Sequence, residues 1–217
     1  MTDENKNQAT NLNVMCVDKV NLNKIIYKLN GILEYRVFPE GKRFSMSAKQ
    51  QSNIYIIRSG SISCHRQPND ILLDLLYAPM IRGLLPIHQN SDSLYMFKVI
   101  QQAEIAIVNR ERFYGLLTEH NLWEPFARHM QQLVTVVSET MFKLSSSSAF
   151  ELVRFQLYEL MSKPLHIRES ITAENYISSK TRLSRSAIFR VIADLKTGGY
   201  IVVKNGILIE IKFIPFD

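Results

Sequence analysis

The stretch "SSKTRLSRSAIFRVIADL", residues 178–195, sets three arginines among serines and then runs into an apolar repeat. Two glycines, Gly198 and Gly199, follow shortly after and signal the end of a helix. Ser184 stands where an N-cap belongs, so the spacing predicts a helix that starts at Arg185. Projected at about 100° per residue, Ile188, Val191, Ile192 and Leu195 fall on one side and face a core. Arg185, Ser186, Phe189, Arg190, Ala193 and Lys196 fall on the other.

A merely solvated face is the plain alternative. Three features oppose it. From Ser178 to Gly206 there are six Lys or Arg, and Asp194 alone carries the opposite charge. Phe189 exposed in water needs a partner, and stacking on a sugar or a thymine methyl supplies one. Then "YIVVKNGILIEIK", residues 200–212, places Asn205-Gly206 between β-branched runs, a strong hairpin signal. Upstream, "TAENYISSKT" reads as a first helix capped by Thr172. Helix, turn, helix and β-hairpin make the winged helix-turn-helix layout, whose second helix enters the major groove of DNA.

Roles follow from position. The first residues of such a helix reach base edges, so Arg185 is the leading donor to guanine, with Ser186, Phe189 and Arg190 beside it. Lys180, Arg182, Ser184, Lys196 and Lys204 are assigned to phosphates, which anchor without reading sequence.

Totals exclude other classes. The chain has 217 residues, 46% hydrophobic and 21% charged, with a net charge of +6 that favours an anionic partner. Cys16 and Cys64 are too few for a disulfide framework or an iron–sulfur centre, and they suit a reducing compartment. No apolar run has membrane-spanning length and the polar start is not a signal peptide, so a cytoplasmic protein with no membrane partner is expected.

Residues 1–21 are expected to be a disordered or loosely held tail, and 22–119 a β-rich domain. After a short helix in "KIIYKLN", short strand-like runs recur: "YRVFPEGKRFSM", "SNIYIIRSGSISCHR", "ILLDLLYAP", "SLYMFKVI" and "AEIAIVNR". Gly60 in "IYIIRSGSIS" suggests a tight turn between two strands. "ERFYGLLTEHN" predicts a short helix. Residues 120–145 then predict a long one with an apolar stripe of Phe126, Met130, Leu133, Val137, Met141 and Leu144. That near-heptad stripe predicts pairing with a second copy of the chain, the alternative being packing on its own sheet. Four serines, 145–148, mark a hinge, and Ser148 with Glu151 predicts the capped start of the next helix. Residues 146–217 form the DNA-binding domain.

This succession resembles the CRP/FNR family of bacterial transcription regulators over nearly the whole chain after residue 22. "IYIIRSGSIS" resembles that family's strand–Gly–strand element, and "LSRSAIFRVIADLKTGGYI" its recognition helix and wing entry. "NYISSKTRLSRS" and "APMIRGLL" resemble the divergent IprA/YaiV-like branch. The resemblance implies an α+β fold: a cyclic-nucleotide-binding-like β-roll (a double-stranded β-helix), a long dimerisation helix and a C-terminal winged helix. It implies guanine reading by Arg185 and a second contact from Arg190. Ser186 stands where an acidic residue is usual and Phe189 where a small one is, so altered readout is expected. Arg182 occupies a turn where glycine is common, which suggests a left-handed or widened turn.

The family's phosphate cassette falls on "IRGLLPIHQNSDSLY". Gly83 survives, Leu84 fills the glutamate position, and Asp92 lies near the arginine position. No Lys or Arg lies between Gly83 and Lys98, so cAMP and cGMP are not expected to bind. Leu84, Leu85, Ile87, Tyr95 and Phe97 line an apolar pocket or, preferably, fill the core. The histidines, His65, His88, His120, His129 and His166, form no His-x-His pair, and no phosphate loop or nucleophile motif is present. No catalytic, metal-ligating or cofactor-binding residue is therefore assigned. The reading is a homodimeric, sequence-specific DNA-binding regulator with a degenerate sensor domain. Its rivals are a regulator responding to an unidentified ligand or a redox signal, and a protein-interaction module built on the long helix.

Overall fold

The computed structural model describes residues 19–45, 53–67, 70–84, 95–145 and 148–215, with the side chains of 143–145 excepted. The chain divides into two compact units, residues 18–134 and 135–217, and the division falls within the long helix.

The first unit opens with α1, Val20–Leu29, which buries Leu22, Ile25, Ile26 and Leu29 at helical spacing. Among the described residues six strands follow: β1 Tyr35–Phe38, β2 Arg43–Ser45, β3 Asn53–Arg66, β4 Ile71–Tyr77, β5 Met80–Arg82 and β6 Tyr95–Asn109. All pairings among these strands are antiparallel. β6 and β3 form the centre, flanked by β1 and β4, with β2 on β6 and β5 on β3. Both central strands bury both faces, which explains unbroken apolar runs such as "IYII". Ile54, Ile56, Ala106 and Val108 pack with the helices, while Tyr55, Ile57, Ala103 and Ile105 face a second cluster that includes Phe97.

Gly60 does not turn the chain. β3 passes straight through it as one 14-residue strand whose register shifts at Ile57/Ser59, Ser59/Ser61 and Ser61/Ile62. Gly60 has φ +89°, and a Cβ there would collide with the backbone of Gln102 and Ala103. A glycine inside a strand is thus a bulge with a close backbone approach, not a reversal. In the same way "YMFKVI" and "AEIAIVN" belong to a single strand, β6. Of the proposed pocket residues, Leu84 and Phe97 pack into core clusters and Tyr95 is exposed at the first position of β6. Leu85, Ile87, His88, Asp92 and Cys16 lie outside the described residues.

Helix α2, Arg110–Glu119, is capped by Asn109, whose side chain accepts from the Glu111 N–H, and it buries Phe113, Leu116 and Leu117. Helix α3, Trp123–Ser145, carries the near-heptad stripe. Its start is not an interface. Phe126 is buried in the core of the first unit, edge-to-face with Phe113 at 5.8 Å, and Met130 packs partly on the same cluster. A helix face can serve its own sheet at one end, so Phe126 is a core residue. Leu133 is half-buried, whereas Val137 and Met141 are 57% and 66% exposed, with Phe142 exposed beside them. The Leu144 side chain lies outside those described.

The second unit holds α4 Ala149–Met161, α5 Leu165–Arg168, α6 Ala173–Lys180, α7 Arg185–Thr197, and the hairpin β7 Ile201–Lys204 with β8 Ile207–Ile211. Ser148 caps α4, accepting from the Glu151 N–H. Val153, Leu157, Leu160, Ile167, Tyr176 and Ile177 build its core with α7 and the hairpin. Arg154, almost fully buried, ties the end of the chain to α4. Its Nε donates to the Ile214 carbonyl at 3.3 Å and its Nη1 pairs with Glu151 at 3.0 Å.

Candidate nucleic-acid interface

The second helix of the pair, α7, follows the sequence closely. Ser184 caps it, accepting from the Ala187 N–H at 3.2 Å, and Thr172 caps α6 through the Asn175 N–H. Ile188, Val191, Ile192 and Leu195 are buried. Arg185, Ser186, Phe189, Arg190, Ala193 and Lys196 are exposed, Phe189 at 56%. The helix ends where the glycines predict: Gly199 takes φ +71°, and the Tyr200 N–H reaches back to the Leu195 carbonyl at 2.9 Å.

The wing turns at Asn205 (φ +50°) and Gly206 (φ +81°), both left-handed as a two-residue hairpin turn requires. This turn docks on the start of α6, where the Ala173 N–H donates to the Gly206 carbonyl at 2.8 Å. A Cβ on Gly206 would press on Thr172 Cγ2 at 2.8 Å, so glycine is needed for space as well as for φ. Lys204 is exposed next to the turn.

Arg182 is exposed in the α6–α7 turn, but its backbone is not left-handed. The chain leaves α6 extended at Thr181 (φ −128°, ψ 166°), so a widened turn removes the need for positive φ.

Lys180 departs from its assignment. Its Nζ lies 2.6 Å from Glu159 Oε1 on α4 and 4.9 Å from the Tyr176 ring centroid. Only 13% of the Lys180 side chain and 18% of the Glu159 side chain are exposed. Lys180 is an internal brace between α4 and α6. Nothing local in the sequence signals this, because its partner stands 21 residues away.

The sequence also hid a partner of Arg185. Its Nε lies 3.2 Å from Glu174 Oε1 in the first turn of α6, with the arginine side chain 73% exposed and the glutamate 15%. An acid in a first turn reads as a dipole partner. Only the fold brings it to α7.

Arg182, Ser184, Arg185, Ser186, Phe189, Arg190, Lys196 and Lys204 are each exposed on this unit, whereas Lys180 is largely shielded. Residues 149–216 match a family model described as winged helix-turn-helix DNA binding. Structural likeness extends further. The CooA mutant of Carboxydothermus hydrogenoformans aligns with a TM-score of 0.68 at 14% identity, covering 91% of this chain and 94% of that one. The c-di-GMP-responsive global regulator CLP of Xanthomonas campestris aligns at 0.61 and 15%, covering 86% and 97%. A CRP-family transcriptional regulator of Thermus thermophilus aligns at 0.57 and 16%, covering 82% and 92%.

This chain has the fold of the CRP/FNR-type regulators. By sequence it is similar to the inhibitor of hydrogen peroxide resistance of Escherichia coli K12, 26% identical over 188 residues that cover 82% of this chain and 89% of that protein. The protein of the same name from Salmonella typhimurium is 24% identical over 171 residues, covering 78% and 81%. The resemblance read from "LSRSAIFRVIADLKTGGYI" and "NYISSKTRLSRS" agrees with these matches.

In the first unit, Cys64 is half-buried in β3. Burial pushes its thiol up to about 11, the Arg82 charge working against the shift and Asp74 adding to it. His129 on α3 is buried, and its pKa is lowered by burial and then by the Arg82 charge. Among the described residues no helix is long and apolar enough to cross a membrane.

Proposed function

We propose that the chain is a homodimeric, sequence-specific DNA-binding transcription regulator of the cytoplasm whose sheet domain binds no cyclic nucleotide. One observation carries the proposal: the exposed face of α7 presents Arg185, Ser186, Phe189 and Arg190 on a winged helix of the DNA-binding type. Arg185 reads guanine, Ser186 and Phe189 touch neighbouring bases, and Arg190 reaches bases or phosphate. Arg182, Ser184, Lys196 and Lys204 hold phosphates. Dimerisation uses the later part of α3, from Leu133 through Val137 and Met141 to Leu144, with Phe142 added. Val137 and Met141 are exposed on that stretch, and exposed apolar side chains on a helix face call for a partner.

Leu84 in place of a glutamate, and the lack of Lys or Arg between Gly83 and Lys98, support the loss of cyclic-nucleotide binding. Similarity to inhibitors of hydrogen peroxide resistance supports a role in peroxide tolerance. The high pKa of Cys64 favours control of transcription over direct thiol sensing.

The test is electrophoretic and calorimetric. Wild-type chain should bind selected duplexes with a steep salt dependence, and cAMP titrated into it should give no heat. Deleting its gene in its host should raise survival under peroxide. Micromolar cAMP affinity, or DNA binding that ignores sequence, would contradict the proposal.

A further inference from the structure

Arg185 is the one proposed base-reading residue with an ion-pair partner on another helix. Glu174 Oε1 is a buried oxygen, and no hydrogen bond of good geometry reaches it. Its close cation is Arg185 Nε at 3.2 Å, an ion-pair distance whose angle falls short of a hydrogen bond. The closest approach is at Nε. A guanidinium held at Nε keeps Nη1 and Nη2 on its far edge, and a pair of parallel N–H donors is what the O6 and N7 acceptors of guanine require. The arginine side chain is 73% exposed while the glutamate is 15% exposed, so the guanidinium stays open to a ligand while its carboxylate partner is shielded.

We infer that Glu174 is the positioning residue for base reading: it grips Arg185 from behind and presents the fork to guanine. The inference rests on the regulator reading above. Arginine has a long flexible side chain, and holding it in its bound posture before DNA arrives lowers the ordering cost of the contact. DNA also expels water from the pair, which strengthens the ion pair. A carboxylate near DNA would ordinarily repel phosphate. Burial and the arginine shield this one, so its effect is on selectivity more than on affinity.

The experiment starts from duplexes that wild-type full-length chain enriches from a randomised pool. Arg185→Ala identifies the base pair whose discrimination it controls, where a bidentate pair is worth about 5- to 150-fold. Glu174→Ala and Glu174→Gln are then measured on the preferred duplex and on copies changed at that base pair. Glu174→Ala should cut discrimination there by about fivefold, a part of the value of the bidentate contact. Affinity for the changed duplexes should hold or rise, because a negative charge has gone. Glu174→Gln, which keeps an acceptor oxygen, should recover part of the loss. In the Arg185→Ala background, Glu174→Ala should leave discrimination unchanged. Thermal melts of both variants exclude unfolding as the cause. Unchanged discrimination in folded Glu174→Ala, or an equal affinity loss on every duplex, overturns the inference and leaves the regulator reading standing. A wild-type chain that enriches no sequence overturns both.

Discussion

Lys180 separates a structural cation from a DNA-binding one. Its Nζ sits 2.6 Å from Glu159 Oε1, and both side chains are largely shielded from water. Removing one member of a fully buried pair costs about 3–5 kcal/mol, and losing a hydrogen bond to a charged group about 1.5–3 kcal/mol. Lys163 Nζ, 3.7 Å from the same oxygen, remains to compensate Glu159 in part. Lys180→Ala should therefore destabilise the winged unit by about 2 kcal/mol, or roughly 10 °C for a domain of this size. The single tryptophan, Trp123, belongs to the first unit, so its fluorescence would miss the loss. Amide hydrogen exchange across α4 and α6 reports it directly. A phosphate contact would behave in the opposite way: both copies in a dimer would lose one, and the slope of log K against log salt would become shallower by about 1.8. Faster exchange in α4 and α6 with an unchanged salt slope is expected. Normal exchange with a slope shallower by nearly two units would refute the brace and restore Lys180 to the DNA surface.

Other outcomes follow from the same geometry. Arg185→Ala should relax specificity at one base pair per half-site by about 1–3 kcal/mol, whereas Lys204→Ala should weaken all duplexes alike and flatten the salt slope; quantitative binding to base-substituted duplexes at two salt concentrations distinguishes them. Met141→Glu would place a carboxylate in the apolar stretch of α3 and should raise the dimer dissociation constant by about a hundredfold or more, read by sedimentation, with the fold intact because Met141 is exposed. His129 should make the chain less stable in acid. Its folded pKa is lowered, so below the ordinary value near 6.5 the unfolded chain takes up the proton first and stability falls as pH drops. Denaturant midpoints at pH 7.5 and 5.5 should differ less in His129→Gln. Cys64 should stay a thiol at neutral pH and react slowly with peroxide, so Cys64→Ser should leave DNA affinity after peroxide treatment equal to that of wild type.

Periodicity and caps were enough to read the parts of the chain that fold locally. Ile188, Val191, Ile192 and Leu195 declare an inward face through their spacing, and Ser184, Thr172 and Ser148 declare helix starts because each cap acts within three residues. Asn205-Gly206 specifies its own turn through two left-handed residues. Interactions between distant elements left no such trace. Lys180 meets Glu159 across 21 residues, and Arg185 meets Glu174 only after α6 and α7 have packed. Gly60 was ambiguous for another reason: a glycine between apolar runs fits a turn or a bulge equally well, and the neighbouring backbone at Gln102 and Ala103 decides it. The α3 stripe misled at Phe126 because one continuous apolar face serves the sheet domain at its start and is exposed farther on.

Binding-site selection on the full-length chain, followed by footprinting of the recovered duplex, tests the central claim most directly. A homodimer with α7 as the reading helix predicts two inverted half-sites with a guanine contact in each, centred about one helical turn, roughly 10 base pairs, apart. A pool that shows no enriched sequence, or a single unpaired site protected by a monomer, would contradict it.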